Sequence, residues 1–151
     1  MTEEGDEQVV VSLAQEADYR FRIEFGGEVP ALTGDEPPPL GGGHGPSPVQ
    51  LLAASVGSCL SDSLLFALRK YKQKPEPLTC SVAATMGRNP EGRLRVLGMK
   101  VVLTLGVAAQ RVEHLERAVR QFEQFCTVTR SVGDAIPIAV EVRDATGQVV
   151  S

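Results

Sequence analysis

Between Ser47 and Lys74 the chain reads SPVQLLAASVGSCLSDSLLFALRKYKQK, and from Val49 to Ser61 no residue carries a charge. Start and stop signals bracket the run. Ser47 suits an N-cap, Pro48 suits the first helical position, and Gln50 completes an S-x-x-Q capping box. At the other end Arg69, Lys70, Lys72 and Lys74 complement the negative end of a helix dipole, and Pro75 forbids continuation. The pattern predicts a helix of roughly seven turns, buried over about its first five, around which the remaining chain must fold. A thiol, Cys59, stands in the middle of it.

At 151 residues the chain is expected to form one domain over 1–151, and a chain of this size can bury about two-thirds of its unfolded surface. Residues 1–7 are acidic (Glu3, Glu4, Asp6, Glu7) and are expected to fray. That start has the wrong sign for a signal peptide, and no run reaches the ~18 uninterrupted apolar residues of a membrane span. A cytoplasmic, reducing setting is therefore expected, in which three cysteines do not form a permanent staple. A net charge of −4 argues against nucleic acid or an anionic membrane surface as partner. With no Trp and 5% aromatic residues, base-stacking platforms are not expected either.

Upstream of the central helix, Val9–Leu13 reads as a strand. Tyr19–Phe25 alternates Tyr19, Phe21, Ile23 and Phe25 on one side with Arg20, Arg22 and Glu24 on the other. Gly26-Gly27 turns the chain, and Val29–Thr33 is a short third strand. Glu36–Pro48 holds five prolines and four glycines in thirteen residues, which makes it a loop delivering the chain into the helix. Downstream, Leu78–Arg88 and Leu94–Leu105 have strand composition, with the hairpin connection Asn89-Pro90-Glu91-Gly92 between them. Val112, Leu115, Val119, Phe122 and Cys126 step by three and four and predict a second helix over Val107–Cys126, which the β-branched run Thr127–Arg130 should interrupt. Ile136–Arg143 is a last strand. Strands in runs with two main helices indicate an α+β fold with antiparallel sheets and a long central buried helix.

Cys59 read alone is a small buried hydrophobe. Its helical neighbours Ser55, Gly57, Ser58, Asp62 and Ser63 are small or polar and leave room for a ligand or another backbone. Asp62 opposes thiolate formation, so a reactive Cys59 needs a cation from elsewhere in the fold. Arg22, Arg20 and Arg130 are the candidates, arginine being permanently charged and able to bond both a thiolate and a carboxylate. Cys126 closes the amphipathic stripe as core, and Cys80, in line with Val82 and Ala84, is expected to be plain core. No metal site is expected: there is no C-x-x-C, and His44 and His114 lack ligand spacing. His114 belongs on the exposed face of its helix. His44, between glycines in the loop before the helix, is a candidate for proton transfer. Gly41-Gly42-Gly43 lacks the G-K-[ST] of a phosphate loop.

Three features together resemble the OsmC/Ohr superfamily, the osmotically inducible and organic hydroperoxide resistance proteins, in its OsmC-like branch. They are Gly45-Pro46-Ser47-Pro48 before the helix, Leu51-Leu52-Ala53-Ala54 with Ser58-Cys59 on it, and Cys126-Thr127-Val128 followed by a strand ending near Val142. The resemblance implies an intertwined homodimer and thiol-dependent reduction of organic hydroperoxides without metal or bound cofactor. Carried over, Cys59 attacks the peroxide and Cys126 resolves the sulfenic acid to a disulfide. An external dithiol then reopens that disulfide. The family arginine corresponds to Arg22 first and Arg20 second. Where the hydroperoxide resistance branch places glutamate after the helix-opening proline, this chain has Val49; Asp35 or Glu36 are the nearby carboxylates. The alternative implied by that departure is an OsmC-like ligand-binding dimer with little peroxidase turnover.

Overall fold

The capping box forms in full. The Gln50 side chain accepts from the Ser47 N–H at 2.9 Å, and the Ser47 hydroxyl accepts from the Gln50 N–H at 3.2 Å. Behind it runs helix α1, Pro48–Lys70, in the computed structural model, which describes residues 5–151. The helix stops short of Lys74 because Lys72 adopts left-handed backbone with φ 56°. The Lys72 N–H then bonds Arg69 O at 2.9 Å and the Gln73 N–H bonds Leu68 O at 3.1 Å. This is a Schellman closure with lysine at the position glycine usually takes.

Two compact units divide the chain, Met1–Leu51 and Leu52–Ser151. Of the segment expected to fray, residues 1–4 lie outside the described residues, and residues 5–7 are exposed and outside any strand.

In the first unit β1 (Ser12–Ala17), β2 (Arg20–Glu24) and β3 (Leu32–Gly34) form an antiparallel meander. The first strand starts later than Val9. Its register is set by the tight turn at Asp18 (φ 45°), where the Gln15 side chain bonds Asp18 O at 2.9 Å. That register pairs Ser12 with Glu24, the end of β2, so Val9, Val10 and Val11 have no ladder partner and stay exposed. The alternation of β2 is retained, with Ile23 buried; Tyr19 and Phe25, beyond the strand ends, are exposed. Gly26 and Gly27 turn the chain with positive φ, 85° and 57°.

The second unit holds the core. Val56, Leu60, Leu64 and Leu68, one face of α1, are fully buried with Val101, Leu103, Leu105 and Phe122. Each such side chain contributes about 1.5–3 kcal/mol. By length and composition α1 would suffice to cross a membrane, but this face is spent on protein. The hairpin β4 (Thr79–Arg88) and β5 (Leu94–Thr104) forms as expected. The Asn89 side-chain oxygen accepts from the Glu91 and Arg93 N–H groups in its turn.

The last strand, β6 (Ile138–Arg143), joins β5 in parallel, Met99 opposite Ile138 and Thr104 opposite Arg143. An otherwise antiparallel molecule thus ends on one parallel pair, and a parallel pair needs a crossover. The crossover is where the expected second helix lies, and it is broken into pieces: a 3-10 turn at Ala109–Arg111, α2 (Leu115–Gln121), a 3-10 turn at Phe122–Phe125 and α3 (Thr127–Val132). His114, at φ 59°, makes the first break. It is not on a helix face: it precedes α2, and its ring stacks on Tyr71 with centroids 4.8 Å apart. Thr127–Arg130, expected to interrupt a helix, begins one, because the Arg130 N–H bonds Cys126 O at 2.9 Å. The apolar spacing still holds, and Val112, Leu115, Val119, Phe122 and Cys126 are all buried. The fold is α+β: two small sheets and one long helix.

Candidate functional site

Cys59 sits in the second unit on α1, beside the fully buried Leu60, and is itself half-buried. Cys126 is placed by the crossover, in extended backbone (φ −83°, ψ 97°) immediately before α3, and is 0% exposed. Cys59 is one of the groups that act on the Cys126 thiol. Both are free thiols. On its other side the Cys126 thiol donates to the Thr129 hydroxyl at 2.9 Å. Burial pushes the Cys126 thiol up from its ordinary value, and the contact with Cys59 pushes the same way, while Thr129 opposes both through its hydroxyl and backbone N–H.

The third cysteine departs from expectation. Cys80 is an exposed residue, not core. Its sulfur nevertheless lies against α1, 3.3 Å from where a side chain on Gly57 would begin. Partial burial raises this thiol, and the nearby Ser61 hydroxyl opposes the rise. Gly57 and Ser61 are one turn apart, whereas Cys59 is turned away from them by the helical period. Cys59 and Cys80 therefore stand on different sides of α1.

The two arginines differ. On β2, Arg22 is exposed and its Nε donates to Glu24 Oε1 at 2.9 Å, a bond that raises the arginine further above its already high value. Arg20 is half-buried and carries no side-chain partner among the described residues. Arg130 is exposed on α3.

In the loop before α1 the Asp35 side chain is 2% exposed. Its Oδ2 accepts from the Gly42 and His44 N–H groups at 3.3 and 3.1 Å, and lies 3.0 Å from His44 Nδ1. These bonds, the His44 backbone first, hold its carboxyl below the usual range. Among the described residues its Oδ1 is buried without a partner. Gly41 has to be glycine, since a Cβ there would meet Glu36 O. His44 is thus tied to Asp35. Nearby in the same unit, Leu13, Tyr19, Phe21, Ile23, Pro46 and Leu51 line an apolar cavity of about 310 Å³. Among the described residues no group of three or more His, Cys, Asp or Glu could hold a metal ion.

Sequence reasoning missed two features here. Thr129 had a readable signal, its place three residues after Cys126, but only on a helix, and that stretch was read as a break. The caged Asp35 depends on a loop conformation that composition does not encode. Chemically, the arrangement offers an accessible thiol with a buried second thiol next to it, which suits oxidation of the first and closure by the second.

The family model for OsmC-like proteins matches residues 41–141, the stretch that carries both thiols. No curated protein matches the chain in sequence. Among solved structures, a hypothetical protein from Aquifex aeolicus VF5 is 22% identical with a TM-score of 0.72, over 92% of this chain and 98% of that one. An OsmC-like protein from Mycoplasma pneumoniae reaches a TM-score of 0.75 at 12% identity, over 92% and 98%. The organic hydroperoxide resistance protein OhrB of Bacillus subtilis gives 0.68 at 15%, over 90% and 98%. At these identities the structures share the fold.

Proposed function

The chain belongs to the OsmC-like protein family, and on that premise we propose that it is a homodimeric thiol peroxidase reducing organic hydroperoxides. What supports this reading is that a half-buried Cys59 acts on the fully buried Cys126 thiol from a distant part of the chain. The Cys59 thiolate attacks the distal peroxide oxygen, the O–O bond breaks, and the alcohol leaves with a proton while Cys59 becomes a sulfenic acid. Cys126 sulfur then displaces that hydroxyl as water and forms the disulfide. An external dithiol returns two electrons and two protons. Val49 supplies no carboxylate; among the described residues Arg20 is half-buried and has no side-chain partner, whereas Arg22 is occupied by Glu24. The second copy is supported by the outer face of α1. Ala54, Ser55, Ser58, Asp62 and Phe66 are exposed along one stripe, small at its start and aromatic at its end.

Stopped-flow mixing with cumene hydroperoxide under a dithiol reductant tests the chemistry: wild type should consume peroxide and Cys59→Ser should not. Equal rates in the two proteins would refute the mechanism.

The apolar cavity of about 310 Å³ favours a second reading, in which the protein binds an apolar ligand with little turnover. That reading predicts stabilisation of about 2.7 kcal/mol at a hundredfold ligand excess over the dissociation constant, with no peroxide consumed.

A further inference from the structure

We infer that Thr129 is a positioning residue for closure of the Cys59–Cys126 disulfide, an inference that rests on the redox pairing proposed above. Three observations carry it. Cys126 and Thr129 are 0% and 8% exposed, so their 2.9 Å bond lies in a buried setting, where one hydrogen bond decides how a thiol points. The two residues sit three apart on the first turn of α3, a spacing that brings side chains together and that the Arg130 N–H to Cys126 O bond locks. Cys59 is among the groups that act on the Cys126 sulfur.

The geometry has a direct chemical consequence. A resolving thiol must present a lone pair to the sulfenic sulfur while its own hydrogen points elsewhere. With the S–H directed at the Thr129 oxygen, the Cys126 sulfur is left with its lone pairs for Cys59. As the S–S bond forms, the Cys59 S–O bond breaks. The hydroxyl departs as water with the proton that Cys126 releases, and Thr129 Oγ1 stands where that proton loosens. Thr129 is buried and bonded to the Cys126 sulfur, so it acts through Cys126 and should leave the first oxidation of Cys59 unchanged. The pH at which Cys126 reacts should move as well, since once the sulfur has lost its proton the Thr129 hydroxyl can turn and donate to it, which favours the ionised form.

The test compares wild type with Thr129→Val, which keeps the shape and removes the acceptor, and with Thr129→Ser, which restores it. Closure is followed in two ways: after hydroperoxide, and after diamide, a diazene oxidant that takes up the two electrons and two protons of a dithiol. Thr129→Val should close about tenfold more slowly, the scale of one ordinary hydrogen bond, with its rate–pH midpoint moved upward, and Thr129→Ser should recover wild-type behaviour. Sulfenic acid on Cys59 should accumulate in Thr129→Val and be trapped by dimedone. A folded Thr129→Val that closes within about twofold of wild type at the same pH midpoint overturns the inference. If wild type ignores hydroperoxide yet diamide closes the bridge quickly in wild type and slowly in Thr129→Val, the peroxidase reading fails and the positioning role stands. If diamide forms no Cys59–Cys126 bridge in wild type, the pairing and the role of Thr129 fall together.

Discussion

Sheet β4-β5-β6 buries Met99, Val101, Leu103 and Val142 with one face of α1, whereas among the described residues of sheet β1-β2-β3 Ile23 is the one large apolar side chain comparably buried, and Leu13 and Leu32 remain exposed. Both are three-stranded, and both contain apolar residues on the two-residue period of a strand. What separates them is a helix: the second unit brings its own cover, and the first exposes apolar side chains that its own residues do not cover. Unpaired Val9–Val11 adds to that surface. Stability therefore belongs to the second unit, and the homodimer proposed above would draw on apolar surface that each unit leaves exposed.

The sharpest way to break this contrast is truncation in each unit. Leu64→Ala, at a fully buried site, should lower unfolding free energy by about 2–5 kcal/mol in urea titration. Leu13→Ala should cost less than about 1 kcal/mol at protein concentrations low enough to hold the monomer. Equal costs would mean that the first sheet is as well packed as the second. Next in size is Gly57→Ala: the new Cβ would meet Val82 Cγ2 at 2.8 Å and Cys80 Sγ at 3.3 Å. Overpacking of this kind typically costs about 1–3 kcal/mol, and thermal unfolding should register it. A neutral result would show that β4 can slide off α1. On the association side, Phe66→Asp should shift light-scattering mass toward the monomer while circular dichroism stays that of wild type; a dimer untouched by this charge would place the interface elsewhere.

Acid titration gives the smallest effect and compares the units through one buried aspartate in each. In the second unit the Asp144 carboxyl is held low, first by the Thr146 hydroxyl at 2.7 Å and then by the Ala109 N–H at 2.9 Å. Asp35 is held low by His44 and Gly42. Because each folded value lies below the unfolded one of about 3.9, each contributes stability above roughly that pH, and loses it as pH falls through the folded value. Asp144→Asn should flatten the acid limb of global unfolding. Asp35→Asn should flatten only signals from the first unit, such as hydrogen exchange in residues 35–46. A global effect from Asp35→Asn would contradict the division.

Much of the second unit was legible in the sequence. Ser47 and Gln50 announced the cap, Asn89 through Gly92 the hairpin, and the step from Val112 to Cys126 named buried residues even though the helix carrying them is broken. That apolar stripe reports which side faces the core and not whether backbone hydrogen bonds run unbroken, so His114 in left-handed backbone could not be read from it. Thr127–Arg130 misled for a related reason: β-branched residues are poor helix formers alone, yet packing of Thr129 overrides a small propensity penalty. The alignment of Cys80 with Val82 and Ala84 on one side of β4 points to core, but its place near the strand's start leaves it open. Of the site, the pairing of Cys59 with Cys126 came from the resemblance to OsmC-like proteins, and Thr129 came from the structure alone.

The central claim is that Cys59 and Cys126 act as a redox pair while Cys80 stands aside. One equivalent of organic hydroperoxide followed by alkylation and peptide mass spectrometry tests it directly. The expected product is a single intrachain Cys59–Cys126 disulfide with Cys80 recovered as a free, alkylated thiol. A bridge that includes Cys80, or three thiols left unchanged, would contradict the account.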